Sequence, residues 1–250
     1  MKVDLLFPGL PAKADHFLFG ICSVLLIRSE ERCILFDTGP FRVRPMLIAA
    51  LSELGLTPAD IDIIFLTHLH WDHVENLDLF PQARVLVPRV EYEYARSPAP
   101  NDWGTPPYVH EMLRGMRVEL LPDKDQELFS GIRTLTLPGH SIGLQGLVIE
   151  IEDVRHVLAS DALWSARDAV RGSPDVAFFD PPKAQESLNK ALAAGHIFYP
   201  GHDRPFRLHG DRVNYLAQYR YQMRFSFQPN GQDFDLEIAT EHAQIGRAHV

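Results

Sequence analysis

Four side chains that commonly bind metal ions stand within six consecutive residues of this chain. They are His68, His70, Asp72 and His73. The apolar, β-branched run 61–66 directly precedes them and predicts a buried strand. Neutral imidazole and carboxylate are ordinary ligands of Zn²⁺ and of its first-row neighbours. The pattern therefore predicts a metal site on a loop at a strand end, in preference to a surface turn that happens to be rich in histidine.

Three more candidate ligands follow apolar runs in the second half of the chain. His140 and His202 each stand in a Pro-Gly-His sequence after a predicted strand, and Asp161 follows the run 157–160. Binding sites are commonly built from loops at the tips of rigid strands, and a glycine permits turns that a Cβ would obstruct. An isolated histidine is more often structural, but two in the same setting favour metal ligands.

The charge of the chain argues against some classes of partner. The formal net charge is −9, and no block of like charges stands out. An acidic chain without a basic stripe is a poor candidate for binding nucleic acid, so a small-molecule substrate is expected. No apolar run approaches the ~20 residues that span a bilayer, and no signal-peptide core is present. We expect a cytoplasmic protein that does not act on a membrane, as a monomer or homodimer.

Predicted strands and helices alternate through both halves of the chain. Helices are expected at 43–55, 89–96, 183–194 and 211–224, among runs with strand character. Two strand-rich halves with helices between them predict two packed sheets with helices outside. Residues 1–244 are expected to form a single domain. Residues 245–250 resemble the translation of a sequencing adapter and are expected to be a non-native tail.

Two local features leave alternatives open. Cys22 and Cys33 flank a predicted hairpin turn, and two free thiols are favoured over a disulfide. Four prolines and a glycine exclude regular structure from residues 97–108. Because long loops in compact domains are often functional, Trp103 and Tyr108 are candidates for substrate binding on a flap over the metal site. An ordinary surface loop, with one of its aromatic side chains in the core, is an equal alternative to the flap.

Written as H-x-H-x-D-H, residues 68–73 resemble the signature of the metallo-β-lactamase superfamily. Four other segments resemble that family in the same order: 36–39, 138–141, 160–161 and 201–203. The resemblance implies an α/β (α+β) fold, a four-layer αββα sandwich. It also implies that Asp37 orients the ligands by accepting hydrogen bonds from backbone or imidazole groups, and is not itself a ligand.

The resemblance assigns a pair of metal ions to the predicted ligands. His68, His70 and His140 would hold the first metal, and Asp161 would bridge to the second. The remaining ligands of the second metal would be Asp72, His73 and His202. Two zinc ions are the expected cofactor, although iron and manganese also suit these ligands.

The same resemblance implies a metallohydrolase. Two adjacent metals lower the pKa of a shared water, and the resulting hydroxide attacks a carbonyl carbon. Asp72 and Asp161 are the candidate catalytic residues, Asp72 as a guide for the proton that reaches the leaving group. Antibiotic-destroying members of the family lack the bridging aspartate, so Asp161 favours the lactonase, glyoxalase II and related hydrolase branches.

The pattern is most similar to the N-acyl-homoserine lactonase branch, which predicts hydrolysis of small lactones or esters and a role in quorum quenching. Those enzymes usually have a tyrosine three residues after the bridging aspartate, where this chain has Trp164. An indole donates but does not accept a hydrogen bond, so Trp164 belongs either to a more apolar pocket or to the core. Phe41, Phe178 and Phe179 are further pocket candidates. Thioester, aryl-ester and phosphotriester hydrolysis are alternatives, as is a non-catalytic metal-binding role.

Overall fold

The computed structural model describes residues 1–12, 15, 20–225, 234–240 and 244–245, and side chains as far as residue 218. Of the tail 245–250, which is expected to be non-native, residues 246–250 lie outside these ranges. Within the ranges, every helix is too short or too polar to cross a lipid bilayer.

Six strands form the first sheet, in the order β1 (Lys2–Phe7), β2 (Val24–Arg28), β3 (Cys33–Phe36), β4 (Ile63–Phe65), β5 (Arg84–Pro88) and β6 (Arg117–Leu121). Strands β1 to β3 are antiparallel, and β3 to β6 run parallel. The connections contain α1 (Arg44–Glu53), α2 (Trp71–Val74), α3 (Arg89–Tyr94) and α4 (Tyr108–Arg114). Because parallel strands end at the same edge, the turn after β3 and the loop after β4 lie side by side.

The second sheet continues the chain from β7 (Glu127–Phe129) through β8 (Ile132–Thr136), β9 (Gln145–Ile151), β10 (Val154–Ser160), β11 (Ile197–Pro200), β12 (Phe206–His209) and β13 (Arg212–Tyr215). Strands β10 and β11 are parallel, so the loops that follow them share an edge. Helices α5 (Ala166–Arg171) and α6 (Pro181–Ala194) connect them. A separate hairpin consists of β14 (Tyr219–Phe225) and β15 (Phe234–Thr240), and β16 (Gln244–Ile245) then pairs with β13.

Three clusters of buried apolar side chains lie between four layers, namely two sheets and the helices outside them. Leu25 of β2 packs with Leu147 of β9 between the two sheets. The next residue, Leu26, belongs to the cluster that contains Leu47 of α1, because successive side chains of a strand face opposite ways. Leu188 of α6 covers the far face of the second sheet. The predicted αββα sandwich is therefore confirmed.

The predicted C-terminal helix over 211–224 is wrong. Strands β13 and β14 occupy most of this segment. Tyr219, Tyr221, Met223 and Phe225 stand at every second position, which is the period of a strand, and tyrosine itself favours strands. This alternation outweighs the helical spacing of the other apolar residues.

The cysteines are free thiols, as predicted. Cys33 lies opposite Arg28 in the β2–β3 pair, so the two cysteines are not cross-strand neighbours. Cys22 is completely buried, and burial raises the pKa of its thiol to about 12. A thiol in this state is a structural group and a poor nucleophile.

Candidate metal centre

The loops after β4, β8, β10 and β11 bring the seven predicted ligands into one buried cluster. Ligand atoms lie within 4.8 Å of one another in each of three groups, which are His68–His70–His140, His68–His73–Asp161 and Asp72–His73–His202. Contacts between the two halves hold these loops together. The Gln145 N–H donates to the carbonyl of Thr67 over 2.9 Å, and Thr67 Oγ1 lies 3.0 Å from Ser160 Oγ.

The carboxylate of Asp161 lies between histidines of the two predicted metal positions. Its Oδ2 is 3.2 Å from His140 Nε2 and 3.3 Å from His202 Nε2. His140 Nε2 also lies 3.0 Å from His70 Nδ1, and His202 Nε2 lies 3.3 Å from Asp72 Oδ2. The Asp161 carboxylate therefore contacts one histidine from each of the two predicted metal positions, which is the arrangement expected of a bridging ligand.

Four buried atoms of the cluster have no hydrogen-bond partner among the described residues. They are His68 Nε2, His73 Nε2, His202 Nδ1 and Asp161 Oδ1. An unsatisfied buried polar group costs about 1–3 kcal/mol, so such atoms are rare without a ligand. His68 Nδ1 is 2.9 Å from Thr67 Oγ1, and His73 Nδ1 is 2.8 Å from Asp37 Oδ2, which leaves each Nε2 to bind something else. The donor set fits divalent cations.

The pKa shifts of the cluster residues also favour binding of a cation. Burial, with neighbouring histidines, lowers the pKa of His68 well below its usual range and that of His70 to about 3. Burial alone would raise the pKa of Asp161, but nearby histidines, His202 first, hold it well below the ordinary value. Burial likewise opposes protonation of His202, yet Asp161 and Asp72 raise its pKa to about 9. The carboxylates thus favour positive charge at this position.

Asp37 supports the metal loop by accepting hydrogen bonds. Thr67 N donates to Asp37 Oδ1 over 2.9 Å, and Thr67 Oγ1 donates to Oδ2 over 2.9 Å. His73 Nδ1 lies 2.8 Å from the same Oδ2. The prediction that Asp37 accepts hydrogen bonds from backbone and imidazole groups is confirmed. Such partners fix the ring orientation and tautomer of a ligand histidine.

Glu91 is a completely buried carboxylate to which the sequence analysis gave no role. It accepts hydrogen bonds from Leu69 N at 3.2 Å, Ser141 Oγ at 2.7 Å and Gly143 N at 2.6 Å. Burial raises its pKa, while these three donors oppose the rise. Glu91 therefore joins the loop of the first two histidines to the loop of His140. In the sequence, Glu91 belongs to the segment 91–93, which resembles the N-acyl-homoserine lactonase branch, and that resemblance assigned it no role.

The glycines of the two Pro-Gly-His segments are required by close approaches. A Cβ on Gly201 would lie 1.9 Å from Asp161 Oδ1. Gly139 has φ 129°, and a Cβ there would lie 2.1 Å from the Ala184 nitrogen. Ser160, just before Asp161, also has a positive φ of 48°, which is a strained conformation for a residue other than glycine.

The loop 97–107 lies directly on the ring of His70. Trp71 N donates to the carbonyl of Gly104 over 2.9 Å, and Gly104 N donates to Asp102 Oδ1 over 2.8 Å. A Cβ on Gly104 would be 2.8 Å from two ring atoms of His70. The loop therefore contacts a predicted metal ligand, and its role as a flap stays a prediction.

Replacing Gly104 with alanine is expected to displace this loop or rotate the His70 ring, because neither neighbour leaves room for a methyl group. A displacement of about 1 Å at a reacting centre costs up to ~100-fold in rate, so we expect kcat/KM to fall about 10–100-fold. Gly115→Ala is the matched control, since its Cβ would lie 3.6 Å from the nearest atom, at ordinary contact distance. Metal content and hydrolysis rates of both variants are the measurements, and equal losses in the two would contradict this explanation.

Apart from Phe178 and Phe179, four aromatic residues are predicted to bind substrate, and two of them flank the cluster. The ring of Trp164 stacks on that of His202, with centroids 5.0 Å apart and planes inclined by 25°. Trp103, next to Gly104, is 60% exposed. Both positions are compatible with the predicted pocket, and that role stays a prediction.

The other two aromatics, Tyr108 and Phe41, meet at Glu75. The Tyr108 hydroxyl donates to Glu75 Oε1 over 2.9 Å, and Phe41 N donates to Oε2 over 2.8 Å. Tyr108 is the first residue of α4, so its expected place in an irregular segment is wrong. The described contacts of these two residues are with Glu75 and, for the Phe41 ring, with the guanidinium carbon of Arg44, 4.5 Å from the ring centroid.

Comparison with known proteins relates the chain to one family. A model described as the metallo-beta-lactamase superfamily matches residues 18–224. The chain is 31% identical over 197 residues to the human metallo-beta-lactamase domain-containing protein 1, covering 76% of this chain and 65% of that protein. It is 29% identical over 163 residues to an N-acyl homoserine lactonase of Bacillus thuringiensis, covering 63% of this chain and 62% of the lactonase. The chain thus spans less than two thirds of either relative.

Solved structures agree with the sequence comparison. An AiiA variant of B. thuringiensis with N-decanoyl-L-homoserine at its active site superimposes with a TM-score of 0.63 at 26% identity, covering 78% of this chain and 89% of that one. AidC, a dizinc quorum-quenching lactonase, superimposes with a TM-score of 0.61 at 20% identity, covering 84% and 80%. The second likeness is one of fold alone.

Proposed function

The chain belongs to the metallo-β-lactamase superfamily and is a metal-dependent hydrolase, and from that premise we propose that it hydrolyses small lactones and esters, N-acyl-homoserine lactones foremost. The observation that carries the proposal is the position of Asp161, within 3.3 Å of His140 and His202. Such a carboxylate suits a two-metal hydrolase. The similarity to N-acyl homoserine lactonases supports the lactone class.

We assign the ligands as the sequence predicts them. His68, His70 and His140 would hold one cation, and Asp161 would contact both cations. Asp72, His73 and His202 would complete the second position. Zinc is the proposed metal, because imidazole and carboxylate suit it and because a lactonase of the same fold is described as dizinc. Iron and manganese accept the same donors.

When bound, a pair of divalent cations would supply an activated water and a Lewis acid for the carbonyl oxygen. The chain supplies positioning and proton transfer. Asp37 holds His73 by its Nδ1, so that Nε2 faces the cluster. Asp72 is the more exposed of the two cluster carboxylates, at 11% against 4% for Asp161. We therefore assign to Asp72 the transfer of a proton toward the leaving group.

A substrate panel tests the proposal. The zinc-loaded protein is assayed with an N-acyl-homoserine lactone, a plain γ-lactone, an aryl ester, a thioester, a phosphotriester and a β-lactam. We expect the highest kcat/KM for the acylated lactone, loss of activity when a chelator removes the metal, and recovery when zinc is returned. A thioester or phosphotriester as the best substrate would overturn the lactone assignment. Inactivity toward every compound would overturn the proposed reaction altogether.

A further inference from the structure

Three exposed aromatic side chains, Trp103, Phe178 and Phe179, form a surface beside the cluster that we name the aromatic ledge. Their exposed fractions are 60%, 53% and 46%. The rings of Trp103 and Phe178 meet edge to face, with centroids 5.1 Å apart and an angle of 81°. Grouped apolar side chains on a protein surface commonly mark a binding site.

Ring contacts and hydrogen bonds connect the aromatic ledge to the loops that carry the predicted ligands. The centroid of the Phe178 ring is 5.2 Å from that of His140. Phe179 N donates to the carbonyl of Gly139 over 3.2 Å, and the carbonyl of Val176 lies 3.3 Å from His140 Nδ1. The loop that carries Trp103 has its own hydrogen bond to the metal loop. A group bound on the ledge would therefore be held at a fixed distance from the histidines.

A small cavity of about 40 Å³ lies between the two phenylalanines of the ledge and the histidines of the cluster. Its described lining includes His70, His140, Phe178 and Phe179. Among the described lining residues, Asp102 is the one acid and there is no lysine or arginine. Asp102 already accepts hydrogen bonds from the Tyr94 hydroxyl and from backbone N–H groups. Apart from the cation that His70 and His140 would hold, the described lining thus offers an anionic group no cationic partner, and it favours an uncharged group on the ledge.

We propose that the aromatic ledge binds an uncharged aromatic acyl group of the substrate, so that the scissile carbonyl lies beside His70 and His140. This inference rests on the proposed function and adds the class of acyl group to it. An aromatic ring is the favoured occupant because it gains edge-to-face contacts with Trp103 and Phe178 in addition to burial of apolar surface. The acyl group then enters from the side of the 97–107 loop.

Calorimetric binding of product-like acids tests the ledge without any turnover. The zinc-loaded protein is titrated with 4-phenylbutyrate, hexanoate and butyrate, which share a carboxylate and differ in the group offered to the ledge. We expect 4-phenylbutyrate to bind at least about tenfold more tightly than butyrate, and more tightly than hexanoate. Trp103→Ala and Phe178→Leu should each reduce the ratio between 4-phenylbutyrate and butyrate to about threefold or less. Leucine retains most of the volume of Phe178 and removes only its ring.

Ile48→Ala is the control, since Ile48 is an exposed apolar residue of α1. Equal binding of 4-phenylbutyrate and butyrate, or an unchanged ratio in both variants, would overturn the proposal. Hexanoate binding as tightly as 4-phenylbutyrate would overturn its aromatic part. Light scattering that shows a dimer dissociated by Trp103→Ala would make the ledge a contact between copies and overturn it too. Discrimination without hydrolysis of any lactone would support the ledge while the proposed reaction failed.

Discussion

Alanine in place of His70 or Asp161 is expected to abolish nearly all hydrolysis and to remove bound metal. His70 belongs to one predicted group of donors, whereas Asp161 contacts donors of both. A metal ion contributes several kcal/mol of transition-state stabilisation in such enzymes, which corresponds to about a thousandfold in rate or more. We expect His70→Ala to lose about one metal equivalent preferentially, and Asp161→Ala to weaken both positions.

His209→Ala is the matched control, because His209 is an exposed histidine on β12. Metal content is measured by elemental analysis after gel filtration, and kcat/KM is measured with the best lactone of the panel. The control should keep both quantities at the wild-type level. Normal metal content together with normal hydrolysis in either ligand variant would refute the ligand assignment.

The second large effect is expected at Asp37. Asp37→Ala leaves three buried donors without their acceptor, the Thr67 amide, the Thr67 hydroxyl and His73 Nδ1. At about 1–3 kcal/mol for each unsatisfied group, and with some relaxation, the free energy of unfolding should fall by about 3–5 kcal/mol. Metal affinity should fall about 10–100-fold, as for other supporting partners of ligand histidines.

Asp37→Asn separates the two effects. An asparagine keeps one oxygen acceptor for Thr67 but presents an amide that does not fix His73 in the same way. We expect most of the stability to return while metal affinity stays reduced. Urea unfolding and competitive zinc titration provide the two readouts, and Asp62→Ala is the control, because Asp62 is exposed and also accepts a backbone N–H. A loss of stability in Asp62→Ala as large as in Asp37→Ala would show that burial at Asp37 is not the cause.

From the sequence alone it could be predicted that the candidate ligands lie close together. His68, His140 and Asp161 each follow an apolar run that forms a strand, and parallel neighbours end at the same edge of a sheet. Strand β2 is apolar on both faces, with Leu25 facing the second sheet and Leu26 facing α1, which places the two sheets face to face. These are local patterns with a period or a fixed offset, which explains why one sequence reveals them.

Other parts of the candidate site depend on contacts between distant segments. Glu91 joins the loop of Leu69 to the loop of Ser141 and Gly143, and these donors lie 22, 50 and 52 residues from it in the chain. No spacing in the sequence predicts such a connection. Two other contacts likewise arise only after folding. They are the close packing of Gly104 against His70 and the edge-to-face contact of Trp103 with Phe178. The error over 211–224 has a different cause, since this segment carries both a helical spacing of apolar residues and the strand alternation of Tyr219 and Tyr221, and the folded chain follows the alternation.

The four donors after β4 belong to one half of the molecule, and His140, Asp161 and His202 belong to the other. A cation shared by these donors would link the two halves, in the manner of a reversible cross-link. Because only the folded arrangement binds it tightly, a free concentration 100 times the dissociation constant adds about 2.7 kcal/mol to stability. The concentration of free metal in the cell would then determine how often this end of the sandwich opens, as well as the rate of hydrolysis.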